Sequence, residues 1–208
     1  MLDTAFLITA FATLFVVIDP PGLIPLFIAL TPGMDPGHRR RVALRACLVA
    51  GAILTAFGLL GEAVLGFIGI SMPAFRIAGG LLLFLTAVEM LFEKRQPRRE
   101  KTMHEAEALP DPTVFPLATP LIAGPGALAT MILLVGQHPG DFGGQATVYL
   151  TMVVVLAICW LFFRLGGTIE RLLGPTGINV VTRLLGMLLA ALAVQFVLQG
   201  LRDFGFGG

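Results

Sequence analysis

The chain has 208 residues, of which 56% are hydrophobic and only 13% are charged, and its net charge is +1. A soluble domain usually has about a quarter of its residues charged, so this composition excludes an ordinary soluble domain. The near-zero net charge and the lack of a basic surface helix give no reason to expect nucleic-acid binding. Apolar stretches instead dominate the chain.

Six stretches are long and apolar enough to cross a membrane, which takes about 20 residues. They are residues 4–31, 43–64, 72–92, 113–136, 145–166 and 180–201. Together they use most of the chain and leave no room for a soluble domain. We therefore predict an all-α membrane protein whose six transmembrane helices form one integral membrane domain.

The first span is interrupted near its middle. It reads Ile18-Asp19-Pro20-Pro21-Gly22, with Pro25 shortly after. Adjacent prolines remove two backbone donors, so the helix should stop near Ile18 and restart with Asp19 as N-cap and Pro20 at the first position. Asp19 is also the only acid deep in a span. An intramembrane acid indicates function, and the alternative is a plain helix cap.

Basic residues alternate between the loops that join the spans. Loops one, three and five carry most of the 14 Lys and Arg. Cytoplasmic loops are enriched in these residues, so we predict these loops to be cytoplasmic and both termini to be external, on the periplasmic side. Most of the arginines are interpreted as orientation signals, and residues 93–112 as a charged, mobile cytoplasmic linker.

The fourth span repeats the pattern of the first. Thr119-Pro120 should weaken its helix, Gly124 can cap the next helix, and Pro125-Gly126 can restart it. The two broken runs lie roughly 105 residues apart, and a similar offset separates the Arg76 run of span three from the Arg183 run of span six. This predicts two three-helix repeats, residues 1–92 and 113–208, and an odd number of spans inverts the second.

Two breaks in equivalent places of an inverted repeat should meet near the middle of the membrane. The positive ends of the restarted helices suit an anion, and unwound carbonyls with the Asp19 carboxylate suit a cation or an ammonium group. The site would therefore fit a zwitterion such as an amino acid. The predicted substrate- or ion-binding residues are Asp19, Pro20, Pro21, Gly22, Pro25, Thr119, Pro120, Gly124, Pro125, Gly126 and Gln195.

Three further charged residues are predicted to act as gates or as anchors of span ends. Arg76 and Arg183 begin spans three and six, and Glu89 lies one turn from the end of span three. Glu89 is expected to reach toward Lys94 at the boundary. Gln195 and Gln199 share one helix face, and helix–helix hydrogen bonding is the alternative to binding for them.

The same residues carry a family resemblance. The Asp19-Pro20-Pro21-Gly22 run with Pro25, the Arg76–Gly80 run, the Ala123–Gly126 run and Arg183 with the Ala193–Phe196 segment resemble the MarC family over essentially the whole chain. The resemblance implies a six-span bacterial inner-membrane protein of the wider LysE-like transporter group. Some relatives are similar to the SnatA-type transporters of small neutral amino acids such as alanine and glycine.

The function predicted from these observations is secondary transport of a small neutral amino acid, with Na⁺ or H⁺ left open as a coupling ion. The alternative is a lipid-linked phosphate flippase or a membrane-stress protein, in which Arg76 or Arg183 binds the phosphate. No catalytic constellation or metal-ligand spacing occurs in the sequence, so we predict no enzyme, cofactor or metal. The expected partners are the small-molecule substrate and membrane lipid, and a homo-oligomer is left open.

Overall fold

The computed structural model describes residues 4–106 and 111–206, and all of their regular structure is helical. The helices are α1 (Thr4–Ile18), α2 (Pro20–Leu30), α3 (Pro36–Ile68), α4 (Met72–Leu91), α5 (Arg95–Ala106), α6 (Pro125–Val135) and α7 (Phe142–Asp203). An irregular helical segment, Thr113–Ile122, precedes α6. The prediction of an all-α membrane protein is confirmed.

The break in the first span lies where the prolines predict it. Helix α1 ends at Ile18, Asp19 is the N-cap with a left-handed backbone (φ 59°), and α2 begins at Pro20. Only this one residue leaves the helical conformation, because the Asp19 amide still donates to Phe15 and the Leu23 amide to Asp19. The expected unwound stretch is therefore a single-residue interruption.

The break in the fourth span is longer. Phe115 and Thr119 have extended backbones inside the Thr113–Ile122 segment, and each precedes a proline through a cis peptide bond. A residue before proline is disfavoured in the helical conformation, which accounts for both positions. The segment meets α6 at an angle of 58°. Gly124 is the N-cap and Pro125 the first residue of α6, as predicted.

Helix α7 contains 62 residues and is divided by Gly174, whose backbone (φ 62°, ψ 175°) is not helical. We call residues 142–173 the first arm and residues 175–203 the second arm. An unbroken helix of this length would be about 90 Å long, three times the hydrocarbon thickness of about 30 Å. Within residues 4–106 and 111–206, four helical stretches are long and apolar enough to cross a membrane, with α1 and α2 counted as one, and the bent pair of Thr113–Ile122 and α6 would make five. The count of six depends on α7 crossing twice and stays a prediction.

The two arms of α7 pack against different helices. Gly51 and Gly58 of α3 face Leu156 and Tyr149 of the first arm, so these helices run antiparallel. The start of α3 and Gly174 consequently lie at one end of the bundle, together with the end of α4. We call this the basic end, because it carries Arg39, Arg40 and Arg164.

The second arm runs antiparallel to α4 through close glycine contacts. A Cβ on Gly80 would lie 2.9 Å from the Ala193 carbonyl oxygen, and one on Gly186 would lie 3.2 Å from the Ala87 carbonyl oxygen. Each helix thus offers a glycine to the backbone of the other. In a membrane, where lipid is as apolar as leucine, such close backbone packing holds helices together.

Gly80→Ala should destabilise the protein, because the new Cβ would meet main-chain atoms that cannot rotate away. Overpacking of this kind costs about 1–3 kcal/mol, which corresponds to roughly 2–10 °C in a chain of this size. The buried thiols of Cys47 and Cys159 allow a thiol-reactive dye to record thermal unfolding in detergent.

Gly167→Ala in the first arm is the matched control, because nothing lies within 4 Å of a Cβ at that position. Its melting temperature should be unchanged or higher, since alanine favours helix. Equal melting temperatures for the two variants would contradict the close packing of α4 on the second arm.

Candidate functional site

The prolines of the first span leave backbone carbonyls without helical donors. The Val17 carbonyl would normally accept from residue 21, which is proline, and the Ile18 carbonyl from Gly22, whose amide donates instead to Asp19 Oδ1 at 3.2 Å. Within a bilayer, such groups need partners inside the protein. Two side chains of α5 provide them.

Helix α5 lies against the break with its polar face. Arg95 Nη2 donates to the Val17 carbonyl at 2.5 Å, and Arg99 Nη2 donates to the Ile18 carbonyl at 3.4 Å. The Gln96 amide donates to the Gly22 carbonyl at 3.0 Å. Helix α5 therefore supplies donors to two carbonyls at the break and to one carbonyl in the first turn of α2.

Asp19 is fully buried at this junction. Its Oδ2 lies 3.1 Å from Arg99 Nη1 and 3.8 Å from Arg95 Nη1. The Thr182 hydroxyl, from the second arm of α7, donates to its Oδ1 at 3.3 Å. The carboxylate thus joins α2, α5 and α7.

Two arginines around one carboxylate leave an excess of positive charge. Burial, and after it the charge of Arg99, lowers the pKa of Arg95 to about 9. The Arg95 guanidinium therefore stays mostly charged at neutral pH. The Asp19 cluster, which we define as Asp19, Arg95 and Arg99, has a formal charge of +1 from two guanidinium groups and one carboxylate.

Gly22 is required at its position by a close approach. A Cβ there would lie 2.1 Å from Asp19 Oδ2, so any larger residue would displace the carboxylate from the Gly22 amide and from the arginines. The Asp19-Pro20-Pro21-Gly22 run is accordingly one unit. The prolines create the break, Asp19 caps it, and Gly22 leaves room for the cap.

A cavity of about 230 Å³ lies beside the Asp19 cluster. Its walls come from both broken spans, from α4 and from α5. The lining residues are Val17, Leu82, Thr86, Glu89, Arg95, Arg98, Arg99, Pro120, Leu121, Ile122, Gly124, Pro125, Gly126 and Ala127. We call it the central cavity.

The two breaks approach each other at this cavity, as the sequence predicted. A Cβ on Gly126 would lie 3.3 Å from Val17 Cγ1 and 3.7 Å from Thr86 Oγ1. The residue after Pro125 in the second break therefore touches the residue two before Asp19 in the first.

The central cavity presents both signs of charge. Gly124 caps α6 without a side-chain hydrogen bond, so the first backbone amides of α6 have no capping group. These residues line the cavity, and the positive end of the helix dipole is therefore at the cavity wall. Arg95, Arg98 and Arg99 add cationic donors, and Glu89 adds a carboxylate that accepts from Arg98 at 2.8 Å. Glu89 thus pairs with Arg98 and lines the cavity, whereas the sequence analysis expected its side chain to reach toward Lys94.

The structure gathers most of the predicted site residues, but it places them in two layers. Pro120, Gly124, Pro125 and Gly126 line the central cavity. Asp19, Pro20, Pro21 and Gly22 are buried behind it, and Pro25 is half-buried further along α2. The Thr119 hydroxyl is buried with no hydrogen-bond partner among the described residues.

Gln195 is not brought to this site. It lies on the exposed face of the second arm, whereas Ala193 and Phe196 face the core. A helix that is apolar on all sides gives no sequence signal for its inward face, which explains why Gln195 was placed with the others. Gln199 is half-buried and likewise does not line the cavity.

Arg76 and Arg183 form two equivalent ion pairs at opposite ends of the α4–α7 pair. Arg76, at the start of α4, pairs with Asp203 at the end of the second arm. Arg183, near the start of that arm, lies 2.8 Å from Glu93 just after α4. An inverted repeat would produce this reciprocity. Both arginines anchor helix ends, and neither lines the central cavity.

Comparison with known proteins agrees with this architecture. The family model for MarC integral membrane proteins matches residues 4–204. The chain belongs to the MarC family. No solved structure matches it significantly.

Several relatives of this MarC protein align over nearly its whole length. A UPF0056 membrane protein of Methanocaldococcus jannaschii is 35% identical over 202 residues, covering 97% of this chain and 98% of the relative. YvbG of Bacillus subtilis is 35% identical over 201 residues, covering 95% of each chain. The inner membrane protein YhgN of Escherichia coli K12 is 33% identical over 205 residues, covering 94% of this chain and 96% of the relative.

Sequence reasoning missed Arg95, Gln96 and Arg99. Their segment was interpreted as a solvated linker, and for the two arginines this interpretation is wrong, because both side chains are largely buried against Asp19. A signal was available. Arg95 and Arg99 are four residues apart and share a helix face, and a buried aspartate in a span needs a cation. Residues 107–110 of the predicted 93–112 linker lie outside the described residues.

The Asp19–Arg99 pair can be tested with a double-mutant cycle. Arg99→Gln should destabilise the protein by about 3–5 kcal/mol, because it removes one partner of a buried pair. Asp19→Asn keeps the cap, since asparagine caps helices and tolerates a left-handed backbone, and removes only the charge. Adding Asp19→Asn to Arg99→Gln should cost less than the sum of the two, by about 0.5–3 kcal/mol.

Thermal unfolding of the four proteins in detergent, followed through Cys47 and Cys159, gives the comparison. Arg171→Gln serves as the control for loss of a basic residue, because among the described residues its guanidinium donates to the Gly167 carbonyl of its own helix and to no other group. Strictly additive shifts in melting temperature would contradict a direct Asp19–Arg99 interaction.

Proposed function

We propose that this MarC protein is a secondary transporter of a small neutral amino acid, and that the central cavity binds the substrate. The observation that carries the proposal is the combination of charges around this one cavity. Cationic donors of α5 and the amino end of α6 lie on one part of its wall, and the Glu89 carboxylate lies on another. A zwitterion carries the complementary pair of charges.

The proposed binding mode follows from these groups. The substrate carboxylate accepts from an arginine and from the uncapped amides of α6, because charge-assisted hydrogen bonds are the strong ones. The Glu89 carboxylate binds the ammonium group of the substrate. A carboxylate can accept several hydrogen bonds, so Glu89 can accept from the substrate as well as from Arg98. Thr86, whose hydroxyl bonds to the Leu82 carbonyl, lies on the same wall.

The size of the cavity supports a small solute. Its volume of about 230 Å³ falls below the roughly 300–1,000 Å³ of sites that take drug-sized ligands. The walls beyond the charged groups are Leu82, Leu121 and backbone of the second break, which suits a short, uncharged side chain. Alanine, glycine and serine are the substrates to test first.

Asp19 has a different role in this proposal. Arg99 lines the central cavity and also pairs with Asp19, so a substrate carboxylate that attracts Arg99 would weaken its hold on Asp19. The Asp19 carboxylate would then keep Arg95 at 3.8 Å but lose its nearer cation, and H⁺ or Na⁺ would take the place of Arg99 beside it. Because such coupling is reciprocal, ion binding at Asp19 would in turn release Arg99 for substrate.

The same proposal covers the location and the partners. The basic end faces the cytoplasm of a bacterial inner membrane, and both termini face the periplasm, as the basic loops predict. A homo-oligomer stays open. The flippase alternative gains no support from Arg76 and Arg183, because each is held in an ion pair.

Purified protein in liposomes tests the function directly. Labelled alanine, glycine and serine are offered under sodium and proton gradients, and protein-free liposomes give the background. We expect gradient-dependent uptake of at least one of them. No uptake of any under either gradient would exclude the amino-acid proposal.

Glu89→Gln should raise the KM for uptake at least about tenfold, because one charge-assisted hydrogen bond contributes roughly 1.5–3 kcal/mol. Glu62→Gln is the matched control, since Glu62 is an exposed acid on α3 outside the cavity. Its uptake should equal that of the unmodified protein. Equal kinetics in both variants would remove Glu89 from the binding site.

Asp19→Asn should separate binding from coupling. The variant keeps the cap and should still exchange labelled for unlabelled substrate across the liposome membrane without a gradient. Accumulation driven by the coupling ion should be lost, because the site for the ion is gone. Undiminished accumulation against a concentration gradient would exclude Asp19 from ion coupling.

A further inference from the structure

A second cavity, of about 500 Å³, lies at the basic end between α2, the start of α3 and the first arm of α7. It shares no lining residue with the central cavity. Its polar lining consists of Arg39, Arg40, Arg164 and Trp160, and Phe27 and Phe163 form an apolar wall. We call it the basic cavity.

The basic cavity contains buried donors that lack acceptors. Arg39 Nε and Nη2 and the Trp160 indole Nε1 are buried and have no hydrogen-bond partner within residues 4–106 and 111–206. Across the same part of the chain, no carboxylate forms an ion pair with Arg39, Arg40 or Arg164. Buried donors are almost always paired, and cationic ones are costly to leave alone, so these groups indicate an acceptor that the chain does not supply.

Aromatic rings hold the guanidinium groups at the cavity. Arg39 Cζ lies 5.0 Å from the centre of the Phe27 ring, and Arg40 Cζ and Arg164 Cζ each lie 5.7 Å from that of Trp160. Stacking of this kind orients an arginine without using its hydrogen-bond donors. The donors remain free for a ligand.

The chemistry of the lining selects a phosphate group. Guanidinium forks match the paired oxygens of phosphate, and an indole N–H adds one more donor. The amino end of α3 contributes little, because the Asp35 carboxylate already accepts from the amides of Gly37 and His38. The arginines therefore carry the recognition.

The position of the cavity favours a lipid as the source of that phosphate. Phe27 and Phe163 stack with ring centres 4.5 Å apart and are almost fully buried, so they form its inner wall. The cavity lies at the end of the bundle predicted to face the cytoplasm, where anionic lipids attract basic residues. Tryptophan is itself enriched at this depth.

We propose that the basic cavity binds the phosphate of an anionic phospholipid from the cytoplasmic leaflet, with Arg39, Arg164 and the Trp160 indole as its donors. This lipid site is independent of the transport proposed above. Bound lipid would tie α2 and α3 to the first arm of α7 at the membrane surface.

Trp160 is the only tryptophan in the chain, so its fluorescence reports on the basic cavity directly. The protein is reconstituted in mixtures of ordinary lipid with brominated phosphatidylglycerol or brominated phosphatidylcholine, whose bromine atoms quench a tryptophan that they contact. We expect phosphatidylglycerol to be preferred over phosphatidylcholine by about five- to tenfold, since each basic residue near the surface strengthens anionic lipid binding substantially.

Two double variants with the same change of charge test the assignment. Arg39→Gln with Arg164→Gln should abolish the preference for phosphatidylglycerol. Arg41→Gln with Arg171→Gln removes one arginine from each of the same two helices outside the cavity lining and should keep it. Unshifted Trp160 emission in phosphatidylcholine establishes that both variants are folded.

The remaining outcomes overturn the proposal. If the two double variants lose the preference for phosphatidylglycerol equally, the lipid is attracted by the charged surface as a whole. If the unmodified protein shows no preference for phosphatidylglycerol, no anionic lipid binds in the cavity. Inorganic phosphate is the second arm of the test. If millimolar phosphate shifts the Trp160 emission of the unmodified protein but not that of Arg39→Gln with Arg164→Gln, and phosphatidylglycerol is not preferred over phosphatidylcholine, the cavity takes free phosphate rather than a lipid.

Discussion

The structure depends on the need of a backbone carbonyl inside a membrane for a hydrogen-bond donor. Pro20 and Pro21 remove donors in the first span, and water is not available there to replace them. The protein meets this need with Arg95 and Arg99, which reach the Val17 and Ile18 carbonyls from a helix outside the spans. Once arginines are present, a buried carboxylate beside them is stabilised, and Asp19 occupies that place. The break, the helix α5 and the charged cluster are consequences of one constraint.

The two breaks meet this constraint in different ways. In the first break, an aspartate caps the restarted helix, and arginines of α5 donate to the free carbonyls. In the second, Gly124 caps α6 without a side chain, and the central cavity lies in front of the free amides. Two halves that share a pattern of prolines and glycines thus differ in the residue that caps the restarted helix, which is Asp19 in the first half and Gly124 in the second. That difference makes one break a charged junction and leaves the other open to a ligand.

The limits of the sequence are seen most clearly at three places. The end of α1 follows from Pro20, and the start of α6 follows from Pro125, because proline acts on its own backbone neighbours and needs no tertiary context. The contact of Arg99 with Asp19 spans 80 residues along the chain and crosses a segment of mixed charge, whose local pattern is also that of a solvated helix. The exposed face of the second arm, with Gln195, is as apolar as its buried face, since lipid and protein interior select the same side chains. Local backbone chemistry was therefore predictable, and the choice of partners was not.

The charges around the central cavity connect stability with binding. The Asp19 cluster has one carboxylate for two guanidinium groups, and Glu89 is matched by Arg98. The Asp19 cluster therefore places a formal surplus of one positive charge in a largely buried position beside the cavity. An unpaired charge in such a place is costly, and a carboxylate that enters the cavity lowers that cost. The amino group of a zwitterion then needs an acceptor of its own, and Glu89 is the one acid among the described residues that lines this cavity. The arrangement that holds the broken span together thus also creates the demand for a ligand bearing both charges.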